Sequence, residues 1–89
     1  MLQLGGHLRA TTDREGGIVL DLVRGQLFRS NASGALIVEL LSRGCERMEI
    51  ERALGDRFGL SPEEASADAE TFLSALRDNG FLLEPGKEG

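Results

Sequence analysis

The stretch Gly17 to Phe28, GIVLDLVRGQLF, constrains the fold of this chain more than any other. Ile18, Val19, Leu20, Leu22 and Val23 supply the β-branched and aliphatic content of a strand. Arg24-Gly25 supplies a tight turn, with Gly25 free to take positive φ, and Gln26 to Arg29 reads as the returning strand. A hairpin of this size is not stable by itself, so the rest of the chain must add a strand and a covering layer. The outer edge of the returning strand is then open to pairing with another chain.

The flanking segments supply both. His7 to Thr12 alternates weakly and reads as a first strand, and Asp13 to Gly17 is polar, ends in two glycines and reads as a loop. Ser30 and Asn31 are two N-cap candidates for a helix whose apolar face is Leu36, Ile37, Leu40 and Leu41 and which Gly44 closes. Gly34, in its first turn, leaves room for a neighbouring backbone. A second helix runs from about Glu46 to Arg57 or Phe58, with Ile50, Ala53, Leu54 and Phe58 on one face and Gly59 placed as a left-handed C-cap. The third has the strongest start signal, Ser61-Pro62-Glu63-Glu64, with an N-cap serine, proline at N1 and glutamate at N3. Ala65, Ala69, Phe72, Leu73 and Leu76 form its buried stripe, and Asn79-Gly80 ends it, with Phe81 folding back on Leu76. The expectation is an α+β domain, a three-stranded antiparallel sheet packed on three helices, in a winged helix-turn-helix-like arrangement. Residues 1–6 are expected to be flexible, 7–84 to form the one domain, and 85–89 to be a disordered tail.

Composition narrows the function. The 89 residues include no Trp, no Tyr and four Phe, so aliphatic side chains must fill a small core. Residues 1–57 hold eight arginines and eight carboxylates, so the net charge of −5 falls entirely on residues 58–89, where Arg77 and Lys87 face seven carboxylates. A winged-helix DNA reader would set its third helix against phosphates. Here residues 62–79 carry five carboxylates and one Arg, which is repulsive. The lone Cys45 and the lone His7 make neither a disulfide framework nor a zinc set, and Cys45 reads as a thiol in a reducing compartment. No apolar run spans a membrane and no signal peptide is visible, so the expected location is the cytoplasm.

Catalysis needs a nucleophile or acid held beside a base, and no spacing in this chain provides one. There is no metalloprotease helix, no phosphate-binding Walker loop and no dinucleotide fingerprint. Glu63, Glu64, Asp68 and Glu70 are better explained by the dipole of the third helix and by a solvated face than by carboxylate chemistry. No cofactor and no metal is implied. Binding remains.

The ordered series Val19-Leu20-Asp21-Leu22, Gly25-Gln26-Leu27-Phe28, Asn31, Gly34, Glu39-Leu40-Leu41 and Gly44 resembles the front half of PqqD-like proteins. Ile50-Glu51-Arg52-Ala53-Leu54, Phe58, Asp68, Phe72-Leu73, Leu76 and Gly80-Phe81-Leu82 resemble the back half. The resemblance spans roughly Gly17 to Leu83 and lies in the series, since no single motif is diagnostic. It implies a leader-peptide recognition element of a ribosomal peptide-modification pathway, in which the precursor's leader adds as a further strand over a groove floored by the third helix. The quinone-pathway members carry Pro-Glu-Gly before the helix and Cys-Asp-Gly after it. This chain has Arg24-Gly25-Gln26 and Ser42-Arg43-Gly44-Cys45 instead. Its compact form is more similar to the freestanding leader-binding proteins of lasso-peptide clusters, which work beside a leader peptidase and a cyclase. The quinone pathway or another peptide pathway is the alternative.

The resemblance places the leader beside Gln26, Leu27, Phe28 and Arg29. On the third helix, 100° per residue puts Asp68, Phe72, Ala75 and Asn79 on one flank of the stripe centred on Ala65, Ala69 and Leu76. The family carries an acidic residue at the position of Asp68, so that flank is taken as the groove. Leu76 and Phe72 also read as plain core. Strand alternation sends Leu27 and Phe28 to opposite faces and leaves open which one meets the groove. The competing class is a self-associating module, because an exposed edge can also pair with a second copy to give a homodimer.

Overall fold

The structure, a computed structural model, describes residues 1–84. The tail expected to be disordered, 85–89, lies outside them. The elements in chain order are β1 (Gln3–Leu4), β2 (Leu8–Thr12), β3 (Gly16–Asp21), β4 (Gln26–Asn31), α1 (Ala32–Arg43), α2 (Arg47–Phe58), α3 (Pro62–Asp78) and β5 (Leu82–Leu83). Strands β2, β3 and β4 form an antiparallel sheet in that order, with β3 central and β4 at an edge. Three helices follow it in an α+β arrangement, as expected.

Val19 and Leu8 point from the sheet into one apolar cluster with Ile37, Val38 and Leu41 of α1, Ile50 and Leu54 of α2, and Leu73 and Leu76 of α3. Phe81 completes it, delivered by the end of α3. There Gly80 takes φ 75°, its N–H donates to the Arg77 carbonyl, and the Phe81 N–H donates to Leu76 at 2.9 Å. This is a Schellman motif carrying its expected apolar partner. At the other end, Ser61 accepts from the Glu64 N–H while the Glu64 carboxylate accepts from the Ser61 N–H, a complete capping box. Arg47, which also donates to Glu51 on its own helix, ties α2 to α3 by donating to Glu70 and the Ser66 carbonyl.

The structure corrects several sequence expectations. Residues 1–6 are not a frayed end. Gln3 and Leu4 pair with Leu83 and Leu82, and Leu2 exchanges backbone hydrogen bonds with Cys45. Leu2 and Leu4 pack on the core from there, which repays ordering the segment. Leu22 and Val23 are not strand residues. The strand ends at Asp21, whose carboxylate accepts from the Val23 and Arg24 N–H groups at 3.0 Å each, while the Gly25 N–H donates to the Asp21 carbonyl at 2.8 Å. The turn is therefore the four residues Leu22 to Gly25, closed by an aspartate side chain and by Gly25 at φ 70°. Gly16 and Gly17 belong to β3 and not to the loop, because they pair with Asn31 and Ser30 of β4, so closely that a Cβ at Gly16 would strike the Ser30 carbonyl. Phe58, assigned to the apolar face of α2, is substantially exposed at the helix end.

Ser61→Ala removes the side-chain half of the α3 cap and is expected to cost about 1 kcal/mol. Urea denaturation measures it. A loss below a few tenths would mean that α3 is held by packing alone.

Candidate functional site: an edge strand beside the third helix

One edge of β4 bonds to β3, and among the described residues no strand bonds to the other. Alternate N–H and C=O groups along Gln26–Asn31 therefore point away from the sheet. Side chains alternate as well. Phe28 is half-buried and turned to the helices, whereas Gln26, Leu27 and Arg29 are exposed. This settles the pair left open by sequence: Phe28 faces the α3 side and Leu27 the outer face of the sheet.

Phe28 makes two edge-to-face ring contacts, with Phe72 of α3 at 5.8 Å between centroids and with Phe81 at 5.9 Å. These contacts fix where α3 lies relative to the edge strand. Phe72 is in turn seated against the first turn of α1. A Cβ at Gly34 would come within 2.6 Å of Phe72 Cε1 and 2.7 Å of Ser30 Cβ. Gly34 thus admits an aromatic ring where the sequence suggested a backbone. Asn31 settles the two-candidate cap of α1, its Oδ1 accepting from the Gly34 N–H at 3.0 Å.

Between this corner and α3 lies an open hollow of about 260 Å³, lined by Asn31, Ser33, Asp68, Thr71, Phe72 and Ala75. Asp68, Phe72 and Ala75 are three of the residues picked from the helical wheel. Asp68 has no ion-pair partner among the described residues. Ala75 leaves space, and Phe72 gives the hollow an apolar wall. Two of the selected residues have other duties. Leu76 has no exposed surface and reaches an incoming chain only through its neighbours. Asn79 caps α3, its Nδ2 donating to the Ala75 carbonyl at 2.7 Å. Thr71 was missed, although its spacing from Asp68 and Ala75 puts it on the same face. Asn31 was read only as a cap, and Ser33 carried no signal.

Arg24 joins the hairpin turn to the end of α3, its Nη1 donating to the Asn79 carbonyl at 3.4 Å. Behind it Asp21 has no exposed surface. Its Oδ2 lacks a hydrogen-bond partner among the described residues, and the nearest basic side-chain atoms are His7 Nε2 at 3.8 Å and Arg24 Nε at 3.9 Å. The hydrogen bond from the Arg24 backbone N–H holds the Asp21 carboxyl below its ordinary value, against the opposing effect of burial and with help from the Val23 N–H, His7 and the Arg24 charge. Asp21 belongs to the series that carries the family resemblance, but no local pattern marks it as buried.

Among the described residues, β4 thus presents an unpaired edge beside an apolar, acid-bearing face of α3. The family model described as coenzyme PQQ synthesis protein D (PqqD) matches residues 16–82, and the chain belongs to this family. Two solved structures share the fold. One is TbiB1 in complex with the TbiA(beta) leader peptide, at 23% identity and a TM-score of 0.82, covering 98% of this chain and 99% of that one. The other is lasso peptide synthetase B1 complexed with the leader peptide, at 23% identity and a TM-score of 0.78, covering 93% and 98%. Comparison with curated proteins gave no match. Among the described residues no helix is long and apolar enough to cross a membrane.

Because folding lowers the Asp21 pKa from about 3.8, its contribution is complete above that pH and is lost as pH falls through the folded-state value. Asp21→Asn is expected to lose less stability between pH 7 and pH 3 than the parent, read from urea midpoints. An identical acid dependence would show that Asp21 does not titrate with folding.

Proposed function

We propose that this chain is a non-catalytic binding protein that captures the leader segment of a ribosomally made precursor peptide as an added strand on β4. The single observation that carries the reading is the free edge of Gln26–Asn31 lying beside the Asp68, Phe72 and Ala75 face of α3. Backbone groups of Leu27, Phe28 and Arg29 hold the leader's main chain, and the hollow selects its side chains. Asp68 accepts from a donor or cation on the leader, and Arg29 is free to pair with an acidic one.

The pathway is of the lasso-peptide type. Both solved structures named above are complexes with a leader peptide and one of them is a lasso peptide synthetase B1, which supports that choice over the quinone pathway. The protein then acts by recruitment in the cytoplasm. It holds a largely disordered leader and raises the local concentration of the attached core peptide near a leader peptidase and a cyclase.

Fluorescence anisotropy of the labelled leader encoded beside this gene, at two salt concentrations, tests the reading. Saturable binding at micromolar affinity or better is expected. Asp68→Arg is expected to weaken it about tenfold or more while the fold persists, since a charged hydrogen bond contributes roughly 1.5–3 kcal/mol. Parent-like affinity in a folded Asp68→Arg variant would remove this face from the site. No binding by the parent protein would defeat the proposal.

A further inference from the structure

The sheet has a second outer edge, and β2 forms it. Hydrogen bonding shows which of its main-chain groups face out. Odd-numbered residues face β3: the Leu22 N–H donates to the His7 carbonyl at 3.4 Å, and the Asp13 N–H to the Gly16 carbonyl at 2.9 Å. Even-numbered residues therefore face away from the sheet. Leu8 already has partners there, since its N–H donates to the Gly5 carbonyl and its carbonyl accepts from Arg9 Nη1, both at 3.1 Å. The outward groups of Ala10 and Thr12 have none among the described residues. Ala10 is exposed, and its methyl group does nothing to shield the edge.

These free groups select a register. Two copies of β2 related by a two-fold axis at Thr11 run antiparallel, with Ala10 of each opposite Thr12 of the other. Each such pair exchanges both of its N–H to carbonyl bonds, and none of them needs a group already in use. The same register sets Arg9 opposite Asp13 of the second copy, in a pair without main-chain bonds, where side chains come closest. Arg9 is exposed, and Asp13 borders the same outer-face hollow as Thr11. Arg9 donates only to the Leu8 carbonyl and Asp13 accepts only from backbone N–H groups, so neither has an ion-pair partner among the described residues. Free backbone and free charge agree on one occupant, which is this strand itself.

We propose that β2 pairs with β2 of a second copy of this chain, joining two three-stranded sheets into one continuous sheet with β4 at each end. The proposal stands apart from the leader-capture reading and leaves both β4 edges open. A contact made by one strand edge is small, so the dimer is a reversible one.

Sedimentation equilibrium of the full chain, up to about millimolar concentration and with or without saturating leader, tests it. A monomer–dimer equilibrium that the leader does not alter is expected. Arg9→Asp sets like charges opposite each other at both ends of the pair and is expected to weaken dimerisation about tenfold or more. Ala10→Pro removes an outward donor and no bond to β3, with the same expected result. Circular dichroism checks the fold of both, and Arg9→Asp, a change at an exposed side chain, decides the question if the proline variant unfolds. A parent that stays monomeric, or parent-like dimerisation in folded Arg9→Asp, overturns the proposal. A dimer that the leader dissociates also overturns it, because the shared edge is then β4. A parent that dimerises but fails to bind the leader defeats the capture reading alone.

Discussion

The position of Phe28 is the constraint on which this structure most depends. An edge strand of six residues has pairing on one side only, and its stability comes from what its inward side chains touch. Phe28 touches Phe72 in the middle of α3 and Phe81 just beyond its end. One ring therefore couples the hairpin, the third helix and the C-terminal ribbon. Edge-to-face pairs of this kind add about 0.5–1.5 kcal/mol each beyond burial, a large share of the margin of a domain this small. The same contacts hold α3 beside an unpaired strand edge, so the feature that stabilises the fold also shapes the site.

Two further devices maintain that spacing. Gly34 lets the start of α1 close on the Phe72 ring, and Arg24 reaches from the hairpin turn to the last turn of α3. The turn is rigid because the buried Asp21 carboxylate accepts two of its backbone N–H groups. Under the proposed leader capture such preorganisation favours binding, since only the peptide then loses conformational freedom. The site offers outward main-chain groups, an apolar wall and, among the described residues, a carboxylate without an ion-pair partner.

Much of this was legible in the sequence because the signals were local. The Ser61 cap, the Asn79-Gly80 ending and the stripe through Ala65, Ala69 and Leu76 are written within a few residues, and helical periodicity alone put Asp68, Phe72 and Ala75 on one flank. What escaped reading depends on distant partners. Gln3 and Leu4 form a strand only because Leu82 and Leu83 arrive beside them. Leu22 and Val23 carry strong strand propensity, yet the Asp21 side chain takes the N–H groups of Val23 and Arg24 and turns the chain there. Asp21 itself looked like one polar residue in an apolar run, with nothing to mark it as fully buried. Thr71 was within reach of the same helical arithmetic that found its neighbours.

Amide hydrogen exchange of β4, with and without the leader peptide, tests the central claim most directly. Strand addition predicts slowed exchange at the outward-pointing N–H groups of Leu27 to Asn31, together with protection around Asp68 to Ala75. Saturating leader that leaves the β4 amides unchanged, or that instead protects the separate hollow lined by Arg14, Leu36 and Phe58 on the far side of α1's first turns, would contradict it.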